Sequence, residues 1–222
     1  MTTPTGYQVG FRFWLKWVLA TTIGLSLAHT GMFIPGLFDF ESLGKDLTWL
    51  HMIFGAGVGI AQWLLLRNVT PRAKWWILAS VAGWTAAWLL MRLFGKITGS
   101  ATADDTLFSP SRYGVGIIIG LAGLFVIRGR WFQNILHVLA SVLGFAGSFL
   151  AAFYIVLACL DRINGANWWG AYLMWNLAGA GAGLIFGIIT GGPVVWILRQ
   201  EMRKRALAVA DEAPLDPEPA AV

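Results

Sequence analysis

Residues 55–67 read GAGVGIAQWLLLR. The run is apolar enough for a buried helix, yet it opens on Gly55, Gly57 and Gly59, carries Gln62 and ends on Arg67. In water each glycine costs a helix about 1 kcal/mol relative to alanine. The cost is offset where backbones must approach closely, as they do between helices in a bilayer.

A repeat supports that reading. Sliding the chain by 61 residues lays Gly55 on Gly116, Gly59 on Gly120 and Arg67 on Arg128. Without a gap, Leu78-Ala79-Ser80-Val81 then falls on Leu139-Ala140-Ser141-Val142, and Gly83 on Gly144. A shift of 59 lays Trp17-Val18-Leu19-Ala20 on Trp76-Ile77-Leu78-Ala79, and Gly24 on Gly83. The glycine helix has a third copy, GAGAGLIFGIITG at 179–191, with Gly179 and Gly183 expected in the places of Gly55 and Gly59. The pairs span 11–67, 73–128 and 131–198. Fixed-period self-similarity of this kind marks stacked supersecondary units.

Composition sets the environment. The 222 residues are 57% hydrophobic and 12% charged, with 13 tryptophans, and the mean hydropathy is +0.67. Long apolar runs separated by charges indicate membrane spans, and Trp concentrates at membrane interfaces. Six spans are predicted, at about 13–35, 48–66, 74–94, 113–127, 132–159 and 170–191, the fourth drawing on Leu107 and Phe108. Continuous apolar runs lack the alternation of barrel strands. The prediction is an all-α membrane protein. Six transmembrane helices, from three tandem helix-hairpin repeats, form a pseudo-threefold bundle over residues 1–198. Residues 199–222 form a basic, then acidic and proline-containing tail, expected to be disordered at 207–222, with VVWILRQEMRKRA after Pro193 continuing as a helix out of the membrane. Ser26-Leu27-Ala28 resembles a signal-peptide cleavage site, but the first span is one of three equivalent copies and so belongs to the fold.

Lysine and arginine set orientation. Arg12, Lys16, Arg67, Arg72, Lys74, Arg128, Arg130, Arg199, Arg203, Lys204 and Arg205 fall on one side. Lys45, Arg92, Lys96, Arg112 and Arg162 fall on the other, offset by Asp39, Glu41, Asp46, Asp104, Asp105 and Asp161. The positive-inside rule makes the first side cytoplasmic, with both termini there, in the inner (plasma) membrane. No basic patch with interleaved aromatics lies outside the spans, so a nucleic-acid partner is not expected.

Gly55, Gly59, Gly116, Gly120, Gly179 and Gly183 are the expected packing points of the second helices. Thr21 and Gly24, Ser80 and Gly83, and Ser141 and Gly144 form the matching small stripes of the first helices. Gln62 shares the glycine face. Its expected counterparts are Gly123 and Phe186, so it breaks the repeat. His137 stands where the other copies place Trp17 and Trp76, which suggests an interfacial role. His29 and His51 lie near the outer ends of consecutive helices and are the candidate cofactor ligands. Arg92, Asp161, Arg112 and Arg162 are candidates for an outer vestibule. Cys159 is the single cysteine, which rules out an intrachain disulfide and a CxxC motif. No catalytic motif is present, and no acidic residue lies in the central half of a span, against ion-coupled transport.

The Gly-x-x-x-Gly…Gln-Trp-x-x-Leu-Arg run, followed by Trp-Trp-Ile-Leu-Ala-Ser, resembles uncharacterised bacterial multi-pass membrane proteins with tandem two-helix repeats. The resemblance covers residues 11–198 and implies a fold without an activity. The carrier family of three two-helix repeats has the same arithmetic but also Pro-x-Asp/Glu-x-x-Lys/Arg motifs, which are absent here. The leading functional expectation is a non-enzymatic protein that packs against or scaffolds membrane components, through a membrane-protein partner or a second copy. The alternatives are a small-solute channel or transporter lined by Gln62, Thr21, Ser80 and Ser141, and haem or pigment binding at His29 and His51. No cofactor or metal is otherwise expected.

Overall fold

A computed structural model describes residues 9–30, 48–98, 110–127, 129–163 and 168–211. These residues form six α-helices and no strand. The helices are α1 (Phe11–Thr30), α2 (Thr48–Leu66), α3 (Trp76–Thr98), α4 (Pro110–Leu124), α5 (Trp131–Ile163) and α6 (Trp168–Asp211). A short 3-10 turn, Pro71–Trp75, leads into α3. Each helix packs chiefly on its chain neighbours, and α6 closes back on α1, giving a ring.

Local chemistry sets the helix starts. Thr70 Oγ1 accepts from the Arg72 N–H, and Pro71 occupies the first position of the turn, where its missing donor costs nothing. α4 opens on Pro110 for the same reason. Before α5, Gln133 Oε1 accepts from the Arg130 N–H at 2.7 Å and Asn134 Oδ1 from the Gly129 N–H at 2.9 Å. These bonds satisfy donors that a helix start leaves free.

Glycines bring the ring together between consecutive pairs. A methyl on Gly55 of α2 would lie 2.6 Å from Val81 Cα of α3. One on Gly116 of α4 would lie 2.5 Å from Val142 Cα of α5. One on Gly183 of α6 would lie 2.6 Å from Thr22 Cα of α1. One turn on, Gly59, Gly120 and Gly187 lie over Ile77, Val138 and Val18. Gly24, Gly83 and Gly144 pack instead on their own pair's second helix, against Val58, Ile119 and Phe186.

This geometry corrects the register of the third copy. Gly183 and Gly187, not Gly179 and Gly183, make the contacts that Gly55 and Gly59 make. Gly179 lies a turn earlier, against His29 and the Leu25 carbonyl. The same shift changes the counterpart of Gln62 in α6 from Phe186 to Thr190. Phe186 instead matches Val58 and Ile119.

α6 continues as expected through Pro193 and the basic stretch after it, and runs to Asp211, a few residues into the segment expected to be disordered. Its basic stretch is rich in good helix formers, and Lys204 Nζ meets Glu201 Oε1 at 3.1 Å. Leu107 and Phe108, expected to lengthen the fourth span, lie outside the described residues, as do residues 212–222.

Large apolar side chains stand on the outside as well as in the core. Leu15, Leu19, Ile23 and Leu27 stand exposed along one face of α1. Leu136, Leu139 and Leu143 do so on α5, and Leu173, Leu177, Leu184 and Ile188 on α6. Thr21, Gln62, Gln133, His137, Ser141, Ser148 and Thr190 are buried. Trp131–Cys159 and Trp169–Ala208 are each long and apolar enough to cross a membrane. His51–Leu66 and Gly114–Leu124 are shorter apolar helices.

Two apolar clusters fill the ring. One contains Phe13, Trp17, Leu66, Trp76, Ile127, Val194 and Ile197. The other contains Leu25, Ala28, Phe54, Val58 and Ala182, with Trp84 against it.

Candidate functional site

The small-residue junctions each place two further residues together, one turn beyond the second glycine. Across α2–α3 these are Gln62 and Trp76, and Trp76 Nε1 donates to Gln62 Oε1 at 2.9 Å. Across α6–α1 they are Thr190 and Trp17, and Trp17 Nε1 donates to Thr190 Oγ1 at 3.3 Å. Across α4–α5 they are Gly123 and His137. A methyl on Gly123 would lie 2.7 Å from His137 Nε2.

The first two junctions are joined. Gln62 Nε2 donates to Thr21 Oγ1 at 2.9 Å, and Thr21 Oγ1 donates to the Trp17 carbonyl at 2.8 Å. Thr190 Oγ1 donates to the Phe186 carbonyl and Ser141 Oγ to the His137 carbonyl, each within its own helix. Such back-bonds let hydroxyls sit in an apolar helix without an unpaired donor.

A cavity of about 30 Å³ lies among these groups. Trp17, Gln62, Trp76, Ser80, Gly123, His137, Ser141 and Thr190 line it, together with Val58, Trp84, Ile119 and Phe186. It takes walls from both apolar clusters, through Trp17 and Trp76 on one side and Val58 and Trp84 on the other. A water needs roughly 10–15 Å³ of such space and two or more polar partners, so the cavity has room for one or two small molecules. No charged side chain lines it.

The residues expected to line a pathway therefore gather at one place. Gln62, Ser80 and Ser141 face the cavity, and Thr21 stands behind, holding Gln62. His137 departs from its expected interfacial role. It is 3% exposed, because the first turn of α5 lies beyond it and α4 and α6 pack over that end. Its Nδ1 has no hydrogen-bond partner among the described residues. An unpaired buried polar group of this kind costs about 1–3 kcal/mol. The signal for it lay in the sequence: His137 aligns with two tryptophans, and Gly123 with Gln62.

His29 and His51 both pack on Phe54, His29 edge-on with centroids 4.8 Å apart and His51 roughly parallel at 6.1 Å. His51 stacks on Trp88 at 4.1 Å. His29 faces Trp175 at 6.4 Å, and its Nδ1 is 2.7 Å from the Leu25 carbonyl, a contact that requires Nδ1 to donate. No group of three His, Cys, Asp or Glu side chains that could hold a metal occurs among the described residues. Of the outer-vestibule candidates, Arg92 is exposed, and the side chains of Asp161, Arg112 and Arg162 lie outside the description.

The opposite end has a groove of about 200 Å³ between the 3-10 turn, the end of α4 and α6. Arg72, Arg205 and Glu201 rim it over a floor that includes Ile127, Ile197 and Met202. Comparison with protein-family models, with curated proteins and with solved structures returns no match for this chain.

Proposed function

We propose that the chain is a six-span membrane protein, built as three tandem helix pairs about a pseudo-threefold axis, that passes a small neutral polar solute through its axial cavity. The observation that carries the proposal is a small, mostly apolar-walled cavity on which a few polar side chains converge, within an apolar exterior. Polar groups are expensive inside a bilayer and tend to face a bundle interior or a water-filled space. Here Gln62, Ser80, Ser141 and His137 gather on one cavity while leucines and isoleucines point outward.

The absence of a charged lining among the described residues favours an uncharged solute. Side chains of both apolar clusters line the cavity, so passage requires them to move. The scaffolding expectation drew on the glycine faces together with the lack of buried charge; Gly55, Gly116 and Gly183 pack on neighbouring helices of the same chain. The excess of lysine and arginine at the Arg67 and Arg199 end puts that end in the cytoplasm.

Reconstitution into phospholipid vesicles tests the reading. Light scattering after an osmotic step should report water or small-solute flux above that of protein-free vesicles. Rates equal to protein-free vesicles for water, ammonia, urea and glycerol would refute it.

A further inference from the structure

We propose that the groove at the cytoplasmic end is a binding site for the headgroup of an anionic phospholipid, with the lipid phosphate held by Arg72 and Arg205. The inference rests on the six-span part of the reading above and is independent of solute passage.

The groove is built from all three helix pairs. Val69–Arg72 link the first pair to the second, Val126 and Ile127 end the second, and residues 197–205 of α6 close the third. Its volume is about 200 Å³. One water needs roughly 10–15 Å³ of such space, so a headgroup-sized molecule fits. The floor is apolar: Ile127, Ile197 and Leu198 belong to the Trp17–Trp76 cluster, and Val69 and Met202 pack against it.

Two cations stand over this floor. The bond from the Arg72 N–H to Thr70 Oγ1 fixes the turn that carries Arg72. Arg205 lies one helical turn from Glu201 and two from Ile197, on one face of α6. Arg199 does not line the groove; its Nε donates to the Val9 carbonyl near the start of α1. Neither Arg72 nor Arg205 has an ion-pair partner among the described residues, and the one carboxylate in the lining, Glu201, meets Lys204 at 3.1 Å. The planar guanidinium group matches phosphate with paired N–H···O bonds.

The lining and the location together select a lipid. A bare phosphate ion gains nothing from the apolar floor, whereas a phospholipid pairs its phosphate with apolar carbon. Trp75, Trp131 and Trp196 stand exposed beside the three walls, close in sequence to Arg72, Ile127 and Ile197. Exposed tryptophans at one level mark the headgroup interface. Basic pockets between spans on the cytoplasmic side suit anionic headgroups.

The test uses the full chain in a mild non-ionic detergent. Thermal unfolding is followed by tryptophan fluorescence with added dioleoyl phosphatidylglycerol, dioleoyl phosphatidylcholine or sodium phosphate, and native mass spectrometry counts retained lipids. Arg72→Gln and Arg205→Gln each remove one guanidinium group, and Glu201→Gln removes the competing carboxylate. Arg203→Gln removes an exposed charge of α6 that does not line the groove.

Phosphatidylglycerol should raise the melting temperature and remain bound, whereas phosphatidylcholine and phosphate should do neither. Arg72→Gln and Arg205→Gln should each weaken phosphatidylglycerol binding about tenfold, Glu201→Gln should strengthen it, and Arg203→Gln should leave it unchanged. Equal action of the two lipids, an equal effect of phosphate alone, or a loss in Arg203→Gln as large as in Arg72→Gln would overturn the site while leaving the spans in place. A chain that stays dissolved without detergent would remove the six-span reading. The groove would then be judged with short-chain dihexanoyl phosphatidylglycerol in water: binding that Arg72→Gln weakens supports the site, and no binding overturns it.

Discussion

The indole of Trp76 donates to Gln62 Oε1 at 2.9 Å, and Gln62 passes the interaction on to Thr21 through its own amide at 2.9 Å. Three helices, α3, α2 and α1, are thereby linked by one side chain that is 2% exposed. The bond also fixes the amide orientation. The carbonyl must face the indole, which has no acceptor, and the NH₂ must face the hydroxyl.

Gln62→Leu should therefore lower the melting temperature, because the Trp76 N–H is left buried without an acceptor. The expected loss is about 1–2 kcal/mol, between the small average worth of hydrogen bonds in membranes and the cost of an orphaned donor. Gln62→Glu retains an acceptor for Trp76 and should show whether the indole bond or the Thr21 bond matters more. Thermal unfolding in mild detergent, followed by tryptophan fluorescence, measures both. An unchanged melting temperature in Gln62→Leu would show that the linkage adds nothing to stability.

The glycines of α6 differ sharply in what surrounds them. A methyl on Gly183 meets Thr22 Cα at 2.6 Å and the Thr21 carbonyl at 2.7 Å, both backbone atoms of α1. A methyl on Gly192 meets nothing within 4 Å. Gly183→Ala should force α1 and α6 apart and cost about 1–3 kcal/mol, as overpacking does. Gly192→Ala should be neutral or stabilise by up to about 1 kcal/mol through helix propensity. Equal effects of the two substitutions on thermal unfolding would contradict the close α1–α6 approach at Gly183.

Those two positions also show how far the sequence could be read. Helix number, the alternation of glycine helices with Trp-Φ-Leu-Ala helices (Φ an apolar residue) and the small stripes at Thr21, Ser80 and Ser141 follow from spacing. The register of the third glycine helix did not. Glycines at 179, 183, 187 and 191 allow a G-x-x-x-G pair to start at 179, 183 or 187, and one helix alone cannot choose among them. The partner chooses: Thr21 and Val18 of α1 sit over Gly183 and Gly187. His137 departs from expectation for a related reason. Its correspondence with Trp17 and Trp76 suggests an interface, whereas its burial depends on how the neighbouring helices pack around it. The Gln62 site was legible because a lone amide on a glycine face has nowhere to point but inward.

The aromatic arrangement around Phe54 leads to a prediction about metals. His29 and His51 both pack on the Phe54 ring, and His29 already uses Nδ1 toward Leu25. A ligand held by both would have to compete with that bond and with the stacking of His51 on Trp88, 4.1 Å away. Zinc or haem added to the purified protein should leave the melting temperature unchanged. Binding at a hundred times the dissociation constant would instead add about 2.7 kcal/mol. A zinc-dependent rise that disappears in His29→Ala and in His51→Ala would show that the two rings converge after all.

The outward leucines of α5 test the environment of the whole bundle. Leu143 is 63% exposed and lies midway along α5, between Leu139 and the later turns of the helix. On a water-soluble bundle, a charge at so open a site is nearly free, within about 0.5 kcal/mol. At the centre of a membrane span, arginine is unfavourable by about 2.5–3.5 kcal/mol on the insertion scale. Leu143→Arg should accordingly reduce membrane insertion of α5, and Leu143→Ile should not. The assay is glycosylation mapping or protease protection of the full chain made in the presence of membranes. Leu139→Arg, one turn earlier on the same face and 51% exposed, should behave likewise, whereas Trp131→Arg, 76% exposed at the first residue of α5, should be tolerated because its charge reaches the headgroups. Equal tolerance of arginine at all three positions would place the exterior of α5 in water and remove the basis for six spans.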